Sequence, residues 1–251
     1  METAYFNEYS HNLKRNMEFK VYGHGGRPCL VFPSQSGRFF DFENNGMVHS
    51  VKEFIDAGRL QLFCIDSNDD NSWSSTHWDN RKRIEAHEDY YNYVCNEVVP
   101  RIFEINAQYN GDYYYSGLLT TGCSMGATHA LNFFLRRPDI FDGVIALSGV
   151  YDASYFFHDY FDDLVYINSP IHYLEGMNND YYYVDLYRQR QIIVCVGQGA
   201  WEEPMITDTA RIKELLEYKK VPAWIDFWGN DVNHDWPWWR VQLPYFMQHL
   251  V

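Results

Sequence analysis

Gly122-Cys123-Ser124-Met125-Gly126 restricts the fold of this chain more than any other stretch. A strand-like run, residues 113–121, leads into it, and a helix-like run, 127–136, leads away. A strand that becomes a helix within five residues must bend so sharply that the central side chain is thrust outward from strained backbone. Glycines two positions either side let the two backbones approach without a Cβ clash. Ser124, at the tip, is therefore expected to be a nucleophile. The blander reading is a Gly/Ser turn that only joins two packed elements, and the strand and helix around it weigh against that.

The same strand-to-helix alternation runs along the chain. Residues 16–22 alternate in polarity, while 28–32, 60–65, 141–148, 191–196 and 223–227 are short apolar runs bounded by turn residues. Such runs suit strands buried on both faces. Helix-like segments lie at 48–56, 81–107, 208–218 and 238–250. Within 81–107, Ile84, Tyr91, Val94, Val98 and Ile102 recur near a 3.6-residue period. The pattern predicts an α/β fold, with a mostly parallel sheet of about eight strands and helices on both faces. One domain over residues 1–251 is expected, long enough for a sizeable core. Residues 151–190 exceed an ordinary loop and carry Tyr155, Phe156, Phe157, Tyr160, Phe161 and Tyr166. An aromatic-rich partial cap over the site and an insertion packed on the surface both fit this segment.

A formal net charge of −14 opposes nucleic acid and anionic membrane surfaces, which attract positive fields. Residues 1–20 lack an apolar signal core, and no run of about 18 apolar residues occurs. Cys29, Cys64, Cys95, Cys123 and Cys195 are odd in number and contain no C-x-x-C. They read as buried free thiols, so a cytoplasmic protein is expected.

A serine hydroxyl is a poor nucleophile at neutral pH and needs a base within hydrogen-bond reach. On an elbow of this kind, the acid and then the histidine follow the serine in chain order. His234 lies in Gly229-Asn230-Asp231-Val232-Asn233-His234-Asp235-Trp236, directly after the last strand-like run, and is the one histidine of ten so placed. His249 reads as a helix-terminal charge partner, and His129 as a packed or capping side chain. The acid should lie in Gly197-Gln198-Gly199-Ala200-Trp201-Glu202-Glu203-Pro204. Pro204 biases Glu203 away from helical backbone, which ranks Glu203 first and Glu202 second. Asp208 is third, since it opens a helix where negative charge is favourable anyway.

An oxyanion formed at Ser124 needs two preorganised N–H donors. One is expected from Met125, the residue after the nucleophile. The other is expected from Pro33-Ser34-Gln35-Ser36-Gly37-Arg38, with Gly37 first and Ser36 close behind. Ser36, Tyr155, Phe156 and Trp236 are the expected substrate contacts. His77, His87, Glu88 and Asp89 have metal-ligand chemistry but neither H-E-x-x-H nor H-x-H spacing, and read as a solvated helix face. No metal and no organic cofactor is expected. Cys123 reads as buried and inert.

Four stretches resemble the putative-esterase branch of the α/β-hydrolases, which includes esterase D, enterochelin esterase, some feruloyl esterases and the mycolyltransferases. They are Gly122-Cys123-Ser124-Met125-Gly126-Ala127, Phe141-Asp142-Gly143-Val144-Ile145-Ala146-Leu147-Ser148-Gly149, Gly197-Gln198-Gly199 with its glutamates, and His234-Asp235-Trp236-Pro237-Trp238-Trp239. Asn96-Glu97-Val98-Val99-Pro100 is similar too, so the resemblance spans most of the chain from about Pro28 onward. It implies an α/β-hydrolase fold with Ser124 as nucleophile, His234 as base and an acid in the 197–199 loop. The mycolyltransferase glutamate follows a similar Gly-x-Gly at a distance that matches Glu203 better than Glu202. Their second oxyanion donor precedes an arginine, here Gly37 before Arg38.

The chain also departs from particular members. Esterase D-like thioesterases carry a different segment after the early strand and usually an aspartate as acid, and mycolyltransferases are secreted. Neither specific activity is carried over. The implied reaction is hydrolysis of a small-molecule carboxylic ester through an acyl-enzyme. An acyltransferase with the same triad and a non-catalytic binding protein of the same fold are the alternatives. A partner-binding protein that uses the aromatic segment 151–187 as its interface is a further one.

Overall fold

The computed structural model describes residues 1–111, 115 and 117–251. Eight strands form one sheet in the order β1-β2-β4-β3-β5-β6-β7-β8. β1 (Thr3–Ser10) and β2 (Arg15–Tyr22) form an antiparallel pair, and β2 runs antiparallel to β4 (Leu60–Ile65). From β4 through β3 (Arg27–Phe32), β5 (Leu118–Cys123), β6 (Phe141–Leu147), β7 (Gln191–Val196) and β8 (Trp224–Phe227), every pairing is parallel. This is the mostly parallel, helix-covered sheet of an α/β-hydrolase. Residues 113, 114 and 116 of the run read as leading into the elbow lie outside the described residues.

The core explains why these strands read as unbroken apolar runs. Leu30 and Phe32 of β3 join the cluster on one face, whereas Cys29 and Val31 join the cluster on the other. β6 divides in the same way, Val144 and Ala146 against Ile145 and Leu147. A strand covered on both sides gains from an apolar residue at every position. β1 has no such signature: it sits at the sheet edge and is mostly exposed on both faces.

The helix Met125–Arg136 and the long helical stretch from Asn80 cover one face. The short helices Met47–Ser50 and Lys52–Asp56 and the last helix, Trp236–Met247, cover the other. The 81–107 pattern is interrupted by a π-turn, Val94–Val98, before the helix resumes at Val99–Tyr109. Pro100 has no N–H for the carbonyl four residues back, and the wider turn lies just ahead of it. Among the described residues, no helix is long and apolar enough to cross a membrane.

Residues 151–190 form the short helices Ser154–Phe157, Asp163–Ile167, Pro170–Gly176 and Tyr182–Tyr187. Tyr151, Ile171, Tyr173, Leu174, Val184 and Tyr187 join the main core beside Met125–Arg136. These residues are therefore built into the domain core. Phe156 differs, packing half-buried between a small cluster holding Met125 and another holding Val196.

Candidate active site

Ser124 stands between β5 and the next helix with φ 56° and ψ −124°, a region that costs a residue with a Cβ about 1–3 kcal/mol. Its surroundings hold that strain. The Ser124 N–H donates to Leu147 O at 2.9 Å, continuing the sheet into the turn. A Cβ on Gly126 would lie 2.4 Å from Phe32 O and 2.7 Å from Pro33 O, so the elbow helix closes directly onto the end of β3. That helix is buried from Met125 through Leu135.

The neighbouring strand ends carry the other polar groups. Ser148, just past β6, also has left-handed backbone, at φ 58°, and its N–H donates to Cys195 O at 2.8 Å. Beyond β7 and β8, two loops interlock. A Cβ on Gly197 would fall 2.1 Å from Val232 O. Gly199 N–H donates to Val232 O at 2.8 Å, and His234 N–H donates to Ala200 O at 3.0 Å. Ala200 N–H donates to Asn233 Oδ1 at 2.8 Å.

These contacts bring three side chains together. His234 Nδ1–H donates to Glu202 Oε2 at 3.2 Å, and Ser124 Oγ–H donates to His234 Nε2 at 2.8 Å. A carboxylate only accepts, so the bond to Nδ1 leaves Nε2 free to take the serine proton. Glu202 is completely buried. Its Oε1 accepts Ser148 Oγ–H at 2.6 Å and Gly197 N–H at 3.3 Å. Trp239 meets the His234 ring edge-on at 4.9 Å and donates its indole N–H to Ser148 Oγ at 3.2 Å. Ser148 and Trp239 were missed in the sequence, although Ser148-Gly149 at a strand end and the tryptophans after His234 mark the place.

Several expected site residues stand elsewhere. Glu203 is exposed on the first turn of the helix Glu203–Tyr218, and the carboxylate against His234 is Glu202. Pro204 explains the displacement. It starts this helix in the first turn, where its missing N–H costs nothing, so Glu203 is helical rather than extended. Asp208 Oδ2 accepts the N–H groups of Tyr151 and Asp152 at 2.6 and 2.9 Å, anchoring the start of the 151–190 segment.

Gly37 does not offer a free amide, because its N–H donates to Ser34 O at 2.8 Å. Ser36 N–H donates to Asp69 Oδ2 at 3.1 Å, and Ser34 N–H to Asp41 Oδ2 at 2.9 Å. Ser36 Oγ is tied to Asp70 Oδ1 at 2.5 Å. Trp236 is the first residue of the last helix, its N–H donating to the capping Asp235 carboxylate, and it packs edge-on against Phe42 and Trp239. Tyr155 is exposed and touches Phe156. Cys123 is buried, which pushes its thiol well up from its ordinary value.

The solvated-face reading of His87 is overturned. The side chain is buried, its ring stacked on His129 at 5.4 Å. Burial, with His129 and Arg136 adding to it, holds the imidazole well below its ordinary value of 6.5. Below that pH the unfolded chain binds a proton that folded His87 refuses. This contribution to stability is therefore lost as pH falls, by up to about 1.4 kcal/mol per pH unit. Urea melts of His87→Phe between about pH 5 and 6.5 should show a flatter pH slope than wild type. An unchanged slope would assign the acid lability to other groups.

Comparison with known proteins agrees with this architecture. The sequence pattern of the putative esterase family matches residues 10–250. No curated protein sequence matches the chain. Among solved structures, a ferulic acid esterase superposes with TM-score 0.75 at 16% identity, over 99% of this chain and 96% of that one. An S-formylglutathione hydrolase from Agrobacterium tumefaciens gives 0.72 at 14% identity, over 98% and 93%. The fluorophosphonate-binding serine hydrolase F of Staphylococcus aureus gives 0.69 at 14%, over 99% and 98%. At these identities the likeness speaks to the fold.

Proposed function

The chain belongs to the putative esterase family, and from that premise we propose that it hydrolyses a small-molecule carboxylic ester through an acyl-enzyme on Ser124. The observation that carries this reading is His234, hydrogen-bonded on one side to Ser124 Oγ and on the other to a fully buried glutamate. His234 Nε2 takes the serine proton as Oγ attacks the ester carbonyl. Glu202 keeps Nδ1 protonated and stabilises the imidazolium. His234 then hands the proton to the leaving alcohol, and later activates the water that releases the acid.

For the oxyanion, Met125 supplies an amide from the first turn of its helix, where N–H groups have no intrahelical carbonyl. The second amide is that of Gln35. Ser34 O accepts from Gly37 inside the 34–37 turn, and in a trans peptide the Gln35 N–H points the opposite way, out of the turn. Phe32 pairs with Gly122 in the sheet, so the residues after β3 run beside the elbow. Five individually buried thiols fit a reducing compartment, and the cytoplasm is the proposed location.

A fluorophosphonate should label Ser124 stoichiometrically, and p-nitrophenyl acetate should give a pre-steady-state burst of about one nitrophenol per chain. A folded sample that neither labels nor bursts would overturn the reading.

A further inference from the structure

A second carboxylate–histidine pair lies behind the 34–37 turn, and the reaction sketched above leaves it without a role. His129 follows Ser124 by five residues on the elbow helix, and Asp69 lies in the loop after β4. Both side chains are 1% exposed, with His129 Nε2 2.8 Å from Asp69 Oδ1. The other oxygen, Oδ2, accepts the Ser36 N–H at 3.1 Å. One buried carboxylate thus bridges the helix that carries the nucleophile and the turn that carries Gln35.

The turn needs such a restraint. Ser36 sits at φ 56° while Gln35 does not have positive φ, the pattern of a turn that prefers glycine at its third position. A serine there favours relaxation to ordinary backbone, which would rotate the Gln35–Ser36 peptide and loosen the turn that orients the neighbouring Gln35 N–H. Ser34 is held from one side by Asp41, and Asp69 holds Ser36 from the other. Gln35 Nε2 adds a tie to Ser74 Oγ at 2.8 Å, while Asp69 O accepts the N–H groups of Ser72 and Ser74. His129 is itself wedged among Phe32, Trp73 and His87. Burying a carboxylate–imidazole pair gains little stability over an apolar pair of similar size, so its value here is geometric.

We propose that Asp69 and His129 are positioning residues that keep the Gln35 amide aimed at the oxyanion formed on Ser124. The proposal rests on the assignment of Ser124 as nucleophile and of Gln35 as second oxyanion donor. Neither Asp69 nor His129 touches reacting atoms in this scheme.

The test is a double-mutant cycle, with kcat normalised to active sites counted by fluorophosphonate. Asp69→Ala should lower kcat about 10- to 100-fold with KM within about threefold, because a misaimed donor is lost mainly from the transition state. Asp69→Asn keeps an acceptor for Ser36 and should recover most of that loss. Gln35→Pro deletes the amide hydrogen at a turn position that tolerates proline, and should lower kcat by a similar or larger factor. Asp69→Ala added to Gln35→Pro should then cost less than about threefold more, since the donor it aims is gone.

Full additivity, or an unchanged kcat per active site in Asp69→Ala, would overturn the proposal whatever the thermal midpoint. If Asp69→Ala does not fold, Asp69→Ser, too short to reach both partners, takes its place in the cycle. Absence of labelling at Ser124 in wild type would instead sink the nucleophile, and normal turnover in Gln35→Pro the oxyanion donor. The three failures are thereby distinguishable.

Discussion

Ser124→Ala should lower ester turnover by about ten-thousand-fold or more and abolish fluorophosphonate labelling. The size follows from what one oxygen does at this site. Ser124 Oγ is the atom within 2.8 Å of His234 Nε2, so without it the base has no bound nucleophile to activate. What remains is ester held near the oxyanion donors and attacked by adventitious water, which accounts for residual rates in other serine hydrolases. The same position allows an internal control on folding. With φ 56° and ψ −124°, alanine inherits the backbone strain of serine, whereas glycine escapes it. Ser124→Gly should therefore be as inactive as Ser124→Ala but more stable, by about 1 kcal/mol in urea melts. Turnover that survives in a folded Ser124→Ala would remove this residue from the chemistry.

Glu202→Gln should lower kcat by about a thousand- to ten-thousand-fold, while Glu203→Gln stays within about twofold of wild type. Glutamine is close in shape, so the loss isolates the charge and the proton arrangement. A carboxylate forces His234 to carry its proton on Nδ1. An amide NH2 turned toward the ring favours the other tautomer, with Nε2 protonated and unable to take the serine proton. Ser148 makes the substitution harsher, because its hydroxyl donates to Oε1 of the same carboxylate and helps decide which way an amide would face. Glu203, exposed on the next residue, has no part in this arrangement. If Glu203→Gln were the damaging change, the acid assignment would be reversed.

Much of the architecture was legible because a strand buried on both faces leaves an apolar run that few other elements imitate. β3, β4, β6 and β7 are all of this kind. The meeting of Ser124 with His234 was legible for a related reason: each occupies a place in the chain order that few residues could fill. The carboxylate that lies against His234 was not, because adjacent residues at a helix start face different ways and Pro204 permits two readings. It disfavours helical backbone in the residue before it, yet it also starts helices, and tertiary context chose the second.

The hydrogen bonding of the 34–37 loop was not legible for another reason. Whether an amide is free depends on which carbonyl its neighbour's turn consumes, and Ser34 O takes Gly37. His87 could have been placed. It lies three residues after Ile84 and four before Tyr91, on the periodic face of its helix, where a buried ring is the simpler expectation.

The interlock between the 197–202 and 229–234 loops has a consequence for how such an enzyme can diversify. With Gly197 packed on Val232 and His234 anchored to Ala200, a residue inserted in either loop would shift Glu202 and His234 relative to each other. Length variation is barred from that side of the site. New substrate preferences in relatives of this chain should accumulate around Tyr155 and Phe156, on a separate segment whose backbone carries neither.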